Sequence, residues 1–328
     1  MRKIIVTGST GFVGQWLTEK LIRLGHEVII PVRNLEKAKD LIELGAIAES
    51  YDLTNKSSVE SVFLKHKPDS VFHLAGLIGY TKEMRQAMYK ANVIGTQNIV
   101  DACLSKGVDR LVYISSVVAI GAGQRPSQIL NENSKYNVKK YDFGYFETKK
   151  EAEEIVMAAC KDKGLNAVTL NPSTIYGPGD AAKGSRKTQL KVAKGKLPFY
   201  TAGGASIIHI KDLIDATITA WEKGQSGERY ILSGENITIK KLFSIIAKSN
   251  NVSAPKIRLP RFVLLLAARI CNLLGKKSPV SVENAYIATM YHWFDNNKAV
   301  NALGLNITPA ETTINDSIQW ARQNGYLD

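Results

Sequence analysis

The feature that most constrains how this chain folds is a turn with three regularly spaced glycines near its start. Gly8, Gly11 and Gly14 lie within TGSTGFVG at residues 7–14, between an apolar strand pattern at Lys3–Thr7 and a helical pattern at Gly14–Leu24. In a turn from strand to helix, such glycines permit a tight bend, a close approach of backbone to a phosphate, and close packing of helix on sheet. The first N–H groups of the helix favour anions. The segment therefore predicts a site for the pyrophosphate of a dinucleotide.

The sequence after this turn continues to alternate strand and helix. A second strand pattern at Glu27–Val32 completes a β-α-β unit. Further strand patterns occur at Ser70–Leu74, Arg110–Ser115 and Ala167–Asn171, and helical patterns at Tyr89–Lys106 and Thr148–Lys163. Strands this apolar are typical of a parallel sheet covered by helices on both faces. We therefore predict an α/β fold built on a doubly wound parallel sheet.

The length of 328 residues allows one large domain or two modest ones. We expect an NAD(P)-binding Rossmann domain over residues 1–171, completed by about 206–232. A smaller mixed α/β part over 172–328 is expected mainly to bind substrate, with the strand Arg229–Leu232 and a late helix at Thr312–Asn324 around the cleft. This second part is not expected to fold as a free-standing domain.

The composition excludes several other classes of protein. Hydrophobic residues make up 45% and charged residues 22% of the chain, as in soluble enzymes and unlike disordered or fibrous proteins. The net charge is +13, but no helix-turn-helix, zinc-finger or basic-aromatic pattern accompanies it, so no nucleic-acid partner is expected. Two interpretations stay open for the densest basic run, a solvated helix face and a contact with an anionic surface or ligand. The run comprises Lys183, Arg186, Lys187, Lys191, Lys194 and Lys196.

The three cysteines predict a reducing compartment and no metal site. Cys103, Cys160 and Cys271 are odd in number and never spaced as CxxC. The apolar run at Ile4–Val6 is too short for the core of a signal peptide. A cytoplasmic protein is therefore expected.

The most apolar stretch of the chain is Phe262–Leu274. It is too short to span a membrane and is interrupted by Arg269 and Asn272. We expect a buried amphipathic helix here. Two alternatives stay open, the lining of an apolar pocket and peripheral contact with a membrane surface.

Residues after the second and third strands bear on the choice of cofactor. An acidic residue at the end of strand two would bind a ribose 2′-hydroxyl, whereas this chain has Arg33 there. A guanidinium pairs well with a 2′-phosphate, so NADP(H) is favoured over NAD(H), with Lys37 or Lys39 as further candidate cations. Asp52 follows the third strand and would accept a hydrogen bond from the adenine amino group. Alternatively, Asp52 or Thr54 would cap the next helix.

A tyrosine and a lysine with helical spacing are the candidates for proton transfer. Tyr145 and Lys149 are four residues apart, which places both side chains on one helix face. A phenol is a weak acid at neutral pH, and a fixed ammonium group stabilises its phenolate. Ser116 follows the strand at Val112–Ile114, where parallel strands line a ligand cleft. Tyr145 would exchange a proton with a substrate oxygen held by Ser116, for which a plain turn residue is the alternative.

With these residues in place, the sequence resembles the extended short-chain dehydrogenase/reductase superfamily, in the dihydroflavonol-4-reductase-like branch of the NAD(P)-dependent epimerase/dehydratase family. The resemblance covers essentially the whole chain. The matching motifs are TGSTGFVG (7–14), DL (52–53), HLAG (73–76), NVIGT (92–96), YISS (113–116), YFETK (145–149), NPSTIYGPGD (171–180) and HIKD (209–212).

The resemblance implies a role for each matching residue. Ser116 would orient the substrate, Tyr145 would be the acid-base residue, and Lys149 its partner, which also fixes the cofactor ribose. Arg33 would contact the 2′-phosphate, and Asn92 would support the active site. The other implied cofactor-binding residues are Gly8, Thr10, Gly11, Phe12, Val13 and Gly14 in the pyrophosphate loop, Asp52 and Leu53 at the adenine, Leu74 and Ala75 beside the cofactor, and Pro172 and Ser173 at the nicotinamide.

Two departures from the family pattern bear on the substrate. HLAG replaces the usual HLAA, which opens space near the ribose. Members that act on nucleotide-diphosphate sugars carry an arginine where this chain has Ala205, followed by Ser206. The resemblance therefore implies an NADP(H)-dependent reductase of a largely hydrophobic ketone or aldehyde, acting as a monomer or homodimer. The alternatives are a nucleotide-sugar epimerase or dehydratase and a non-catalytic dinucleotide sensor.

Overall fold

Strands and helices alternate through the first half of the chain. The computed structural model describes residues 1–182, 186–273 and 282–328, except for the side chains of residues 271–273. The strands are β1 (Lys3–Thr7), β2 (Glu27–Val32), β3 (Ile47–Ser50), β4 (Ser70–His73), β5 (Arg110–Ile114), β6 (Ala167–Pro172), β7 (Thr174–Tyr176), β8 (Phe199–Thr201), β9 (Gly204–His209), β10 (Arg229–Leu232), β11 (Glu235–Thr238), β12 (Ile257–Leu259) and β13 (Tyr291–His292).

The helices differ widely in length. They are α1 (Phe12–Arg23), α2 (Lys39–Glu43), α3 (Lys56–His66), α4 (Arg85–Met88), α5 (Gly95–Lys106), α6 (Gly144–Lys163), α7 (Lys187–Ala193), α8 (Ile210–Lys223), α9 (Ile239–Ser249), α10 (Arg261–Leu273), α11 (Val282–Ile287), α12 (Asn297–Leu303) and α13 (Ala310–Gln323). A π-helical turn at Tyr89–Ile94 joins α4 to α5.

Seven parallel strands form the central sheet, in the order β10-β6-β5-β4-β1-β2-β3. Apolar residues of α1 and α8 cover one face, and those of α3, α5 and α6 cover the other. The strand order reverses beside β1, and in such sheets ligands bind at the carboxyl ends of the strands around this switch point. The predicted α/β fold with a doubly wound parallel sheet is confirmed.

The second half of the chain contributes to this sheet and also builds a smaller one. Strand β10 pairs with β6 at one edge of the large sheet. The indole Nε1 of Trp221 in α8 donates to the buried Ser70 Oγ at 3.0 Å, which ties α8 to β4. The smaller sheet has the order β11-β9-β13, with β7 also paired to β9, and β8 pairs with β12 separately. Helices α9 and α13 pack against the smaller sheet.

Helix α6 begins four residues before the predicted start at Thr148. Asp142 adopts a left-handed conformation and Phe143 an extended one, so the first helical residue is Gly144. Tyr145 therefore lies in the first turn of the same regular helix as Lys149. The predicted helix at Tyr89–Lys106 is continuous, but its first six residues form the π-helical turn.

The prediction of a buried helix at Phe262–Leu274 is wrong for one face. In α10, Leu264 and Ala268 are buried, whereas Phe262 and Leu266 are exposed to solvent. The reason is that α10 packs on its neighbour α11 along one side. Leu274 lies outside the described residues. No helix in the described part of the chain is both long and apolar enough to cross a membrane.

The basic run is also only partly a solvated helix face. Arg186 is buried, where its Nε donates to Asp180 Oδ2 at 3.0 Å and its guanidinium lies 3.6 Å from the centre of the Tyr176 ring. This pairing with an internal carboxylate removes Arg186 from the surface. Lys187 and Lys191 of α7 are exposed. Lys183 lies outside the described residues.

Candidate active site

The glycine turn follows β1 at the carboxyl edge of the sheet, with almost no space for side chains. Gly8 has φ +73°, and a Cβ atom there would lie 2.7 Å from the Ala75 backbone nitrogen. A Cβ atom on Gly14 would lie 2.1 Å from the Gly8 carbonyl oxygen. Gly11 closes the turn by donating its N–H to that same oxygen at 3.0 Å. Gly8 and Gly14 therefore have no room for a side chain, as the sequence spacing predicts.

The start of α1 is suited to an anion. Gly11 precedes the helix without a side-chain cap, and the first turn carries no acidic residue, so its N–H groups and the positive end of its dipole face outward. Thr10, Phe12 and Val13 are half-buried around this turn. The buried hydroxyl of Ser9 has no hydrogen-bond partner among the described residues. These features fit the pyrophosphate of a dinucleotide.

The residues expected at the ribose and adenine follow β2 and β3. Arg33 is exposed directly after β2. Burial raises the pKa of the neighbouring Tyr51 phenol, and the charge of Arg33 opposes that shift. Lys39 forms an ion pair with Glu36 at 2.5 Å, which supports its interpretation as a surface charge. Lys37 is exposed.

The capping alternative for Asp52 and Thr54 is wrong. Asn55 caps α3, its Oδ1 accepting from Ser58 N at 3.0 Å. Asp52 Oδ1 instead accepts from the N–H and the hydroxyl of Thr54, both at 2.9 Å, because Asp52 lies three residues too early to cap. Leu53 is buried against Gly95, where a Cβ atom would meet Leu53 Cγ at 2.7 Å.

A buried histidine links the ends of β1 and β4; it is the first residue of the HLAG motif, and the sequence assigned it no role. Burial lowers the pKa of His73 to about 3, so its imidazole is neutral. Thr96 Oγ1 donates to the Asn92 carbonyl at 2.5 Å and therefore accepts from His73 Nε2 at 3.1 Å. His73 Nδ1 then accepts from Thr7 Oγ1 at 2.7 Å, and Thr7 Oγ1 accepts from Ala75 N at 3.2 Å. This chain of hydrogen bonds holds Leu74 and Ala75 beside the glycine turn.

Asn92 connects the loop after β4 to helix α6. It lies in the π-helical turn, and its Oδ1 accepts from Leu77 N at 2.7 Å. Its Nδ2 donates to the Leu77 carbonyl and to Thr148 Oγ1, both at 3.0 Å. Thr148 is the residue before Lys149, so Asn92 supports the helix that carries Tyr145 and Lys149.

Ser116 and Tyr145 meet at the carboxyl end of β5. The Ser116 hydroxyl lies beside the Tyr145 phenol and accepts from Val118 N at 3.3 Å. Burial raises the pKa of Tyr145, the neighbouring Tyr80 raises it further, and the Ser116 hydroxyl lowers it. The phenol therefore holds its proton at neutral pH and can donate it.

Lys149 is buried one turn after Tyr145, with its ammonium group bound to β5. Its Nζ donates to the Ile114 carbonyl at 2.9 Å and to the Tyr113 hydroxyl at 3.1 Å. Burial lowers its pKa to about 8, and the charge of Glu153 opposes that shift. The expected stabilisation of the phenolate by Lys149 stays a prediction, since the group that lowers the Tyr145 pKa is Ser116.

Glu153 is a second residue that sequence reasoning missed. It is buried one turn after Lys149 on the same helix. Its carboxylate accepts from Asn171 Nδ2 at 2.6 Å and from Arg229 Nη1 at 2.9 Å, and Asn171 Nδ2 also donates to the Ser116 carbonyl at 3.0 Å. The available signal was the spacing of four residues after Lys149, which continues one helix face.

Aromatic and apolar side chains surround the Tyr145 phenol. The Tyr80 ring lies edge-on to Tyr145 with 6.4 Å between ring centres. Tyr145 packs in an apolar cluster with Val118, Phe146 and Tyr286, among others. At the position where sugar-nucleotide enzymes carry an arginine, Ala205 is buried in β9. The surroundings of the phenol are therefore mainly aromatic and apolar.

Pro172 ends β6 at the same edge of the sheet, and Ser173 follows it. Ser173 N donates to the Leu232 carbonyl of β10 at 3.0 Å. The Ser173 hydroxyl is buried without a partner among the described residues. No cluster of metal-ligating side chains was found in the described ranges.

Comparison with known proteins agrees with this geometry. Residues 4–233 match the NAD dependent epimerase/dehydratase family. A putative dihydroflavonol 4-reductase from Synechocystis sp. is 29% identical, over 98% of this chain and 95% of the relative. The dihydroflavonol 4-reductase of Zea mays is 30% identical, over 74% of this chain and 73% of the relative. The crystal structure of gox2253 superimposes with a TM-score of 0.87 at 30% identity, over the full length of both chains.

The family match covers the glycine turn, Ser116, Tyr145 and Lys149, and extends to strand β10. The chain therefore belongs to the NAD dependent epimerase/dehydratase family and is an NAD(P)-dependent enzyme of the extended short-chain dehydrogenase/reductase type.

Proposed function

We propose that this protein is an NADP(H)-dependent reductase that converts a largely hydrophobic ketone or aldehyde into an alcohol, with Tyr145, Lys149 and Ser116 as its catalytic residues. The observation that carries the proposal is the position of Ser116 beside the buried, protonated Tyr145 phenol, at the sheet edge where the glycine turn also lies. A proton donor and a second hydroxyl at one point are what a carbonyl oxygen needs when it becomes an alkoxide.

Tyr145, Ser116 and Lys149 would each have a separate role in the reaction. A nicotinamide cofactor, when bound, would supply the hydride. Tyr145 donates its proton to the substrate oxygen, and Ser116 donates a hydrogen bond to the same oxygen. Lys149, charged below its pKa of about 8, stabilises the phenolate that forms on Tyr145 and would bind the cofactor ribose. Tyr113 and the Ile114 carbonyl hold the ammonium group in place.

Three observations support a hydrophobic carbonyl substrate over a nucleotide sugar. The phenol is packed among aromatic side chains, including Tyr80 and Tyr286. Ala205 offers no charge to a diphosphate and is buried. Relatives named dihydroflavonol 4-reductase match most of the chain. We place substrate binding mainly in residues 172–328.

The catalytic assignment is tested by replacing Tyr145 with phenylalanine. We expect kcat to fall about 10²- to 10⁴-fold, because the proton donor is lost. Tyr141→Phe is the matched control, since it removes a hydroxyl from the same aromatic cluster and should leave kcat within about twofold. Oxidation of NADPH is followed with a panel of aromatic and aliphatic carbonyls. Turnover without net consumption of NADPH would instead support an epimerase, and full activity of Tyr145→Phe would reject the assignment.

The preference for NADP(H) is tested by replacing Arg33 with serine. The variant should lose roughly 1.5–3 kcal/mol of the interaction with the 2′-phosphate, or at least about tenfold in kcat/KM for NADPH. Its kcat/KM for NADH should change little. Lys106→Ser is the control, because it removes an exposed charge at the opposite edge of the sheet, where α5 leads into β5. Equal losses with both cofactors would contradict the role of Arg33.

A further inference from the structure

Helix α10 presents a row of apolar side chains to solvent. Phe262, Leu266 and Ile270 are 69%, 56% and 46% exposed. They recur every four residues, so they lie along one face of the helix, which we call the α10 stripe. Leu264 and Ala268 occupy the opposite, buried face. Single exposed apolar residues are ordinary, whereas a contiguous row marks a surface that contacts something other than water.

The chain segment that holds the stripe carries charge of one sign between Glu235 and Glu283. The sequence from 236 to 282 holds nine Lys and Arg residues and no Asp or Glu. Among the described ones, Arg269 is exposed on α10, and Lys256 and Arg258 are exposed just before it. Ile257, between those two, is 60% exposed. Apolar side chains flanked by cations match the boundary between headgroups and acyl chains in an anionic bilayer.

We propose that the α10 stripe docks on the surface of an anionic lipid bilayer. The three apolar side chains would enter the acyl boundary, while Arg258 and Arg269 contact acidic headgroups. A second copy of this chain fits less well, because a symmetric contact through the stripe would bring two cationic faces together. The docking is peripheral, since α10 has 13 residues and a membrane span needs about 20.

The first residue of α10 lies next to the apolar cluster that contains Tyr145. Arg261 Nε donates to Thr289 Oγ1 at 2.7 Å, and its guanidinium lies 5.9 Å from the centre of the Tyr286 ring. Tyr286 packs in the same apolar cluster as Tyr145. A bilayer bound at α10 would therefore deliver an apolar substrate close to the cleft. This consequence rests on the proposed function, whereas the docking does not.

The docking is tested by sedimentation of the full-length protein with lipid vesicles, without substrate or cofactor. We expect binding to vesicles of phosphatidylcholine mixed with phosphatidylglycerol, weaker binding to phosphatidylcholine alone, and a decrease at high salt. The combined substitutions Phe262→Ser, Leu266→Ser and Ile270→Ser should lower the partition coefficient at least about tenfold. The control variant replaces three exposed leucines elsewhere and should bind as the wild type does; its substitutions are Leu24→Ser, Leu44→Ser and Leu64→Ser.

The electrostatic part is tested separately. Arg258→Gln with Arg269→Gln should lower binding to the anionic vesicles about tenfold or more. Lys161→Gln with Lys163→Gln removes the same charge from the exposed end of α6 and should have a much smaller effect. Retained dinucleotide affinity shows that each variant is folded.

Three results would overturn the proposal. They are failure of the wild type to bind anionic vesicles, equal loss in variants and controls, and a dimer that the stripe substitutions dissociate. A protein that binds vesicles but reduces no carbonyl would reject the proposed function and leave the docking intact. A protein that reduces carbonyls but does not bind anionic vesicles would support the proposed function and reject the docking.

Discussion

At the scale of single residues, Lys149 has the most closely defined surroundings. Its ammonium group is buried, with Tyr113 and the Ile114 carbonyl as hydrogen-bond acceptors. Burial lowers its pKa to about 8, and the negative charge of Glu153 acts in the opposite direction. If catalysis needs the charged ammonium, activity falls as the pH rises through about 8.

Replacing Glu153 with glutamine should move that loss of activity to a lower pH. Without the carboxylate the ammonium form loses stabilisation, so the pKa of Lys149 falls further below its usual value. The measurement is kcat as a function of pH. Glu154→Gln is the control, because Glu154 is exposed and paired with Lys150 on the surface. An alkaline limb at the same pH in both variants would show that Glu153 does not act on Lys149.

At the scale of elements, the turn between β1 and α1 combines backbone conformation with close packing. Gly8 has φ +73° and no room for a Cβ atom, whereas Gly25 after α1 has φ +81° and no atom within 4 Å of a Cβ position. Substitution at Gly25 therefore incurs only the free-energy cost of a left-handed backbone, whereas substitution at Gly8 incurs that cost and a steric clash. In the π-helical turn, Asn92 hydrogen-bonds Leu77 of the loop after β4 and Thr148 of α6.

Alanine at Gly8 should be far more damaging than alanine at Gly25. Gly25→Ala is expected to cost about 1–2 kcal/mol, the usual penalty for a left-handed residue with a side chain. Gly8→Ala adds a clash with the backbone at Ala75, worth roughly 1–3 kcal/mol more, and displaces the phosphate-binding turn. Urea unfolding gives the stabilities, and titration gives dinucleotide affinity. Similar stabilities and affinities for the two variants would contradict the packing argument.

At the scale of the whole molecule, the two halves of the chain are joined through buried polar contacts. Trp221 in α8 binds Ser70 of β4, and Arg229 of β10 binds Glu153 of α6. Arg110 of β5 donates to the Ala220 carbonyl at the end of α8 at 3.0 Å. The large sheet is thus completed by β10, which begins more than 60 positions after the start of β6.

We therefore expect the chain to unfold in urea as one cooperative unit. Tryptophan fluorescence and far-UV circular dichroism should give the same midpoint, because the four tryptophans occur in both halves. NADPH at about 100 times its Kd should add about 2.7 kcal/mol to the free energy of unfolding by either probe. Two separate midpoints would show that residues 172–328 unfold independently of the Rossmann part.

The sequence was sufficient where structure is local. Five strands of the large sheet lie within one residue of their predicted bounds, because continuous apolar runs between turns leave few alternatives; they are β1, β2, β4, β5 and β6. No bounds were predicted for β3. The glycine turn was predictable since its three-residue spacing sets the backbone geometry. The predicted start of α6 was four residues too late, because Asp142, a non-glycine residue, takes a left-handed conformation just before the helix.

The sequence by itself determined the alternating fold, the phosphate-binding turn, and the placement of Tyr145 and Lys149 on one helix face, because each depends on residues close together in the chain. Only the tertiary structure decided that Tyr113 and Ile114 hold Lys149, that Glu153 pairs with Arg229 76 positions away, and that α10 turns Phe262 outward. Those contacts join distant segments, and the packing of whole elements selects among the faces that a local pattern leaves equivalent.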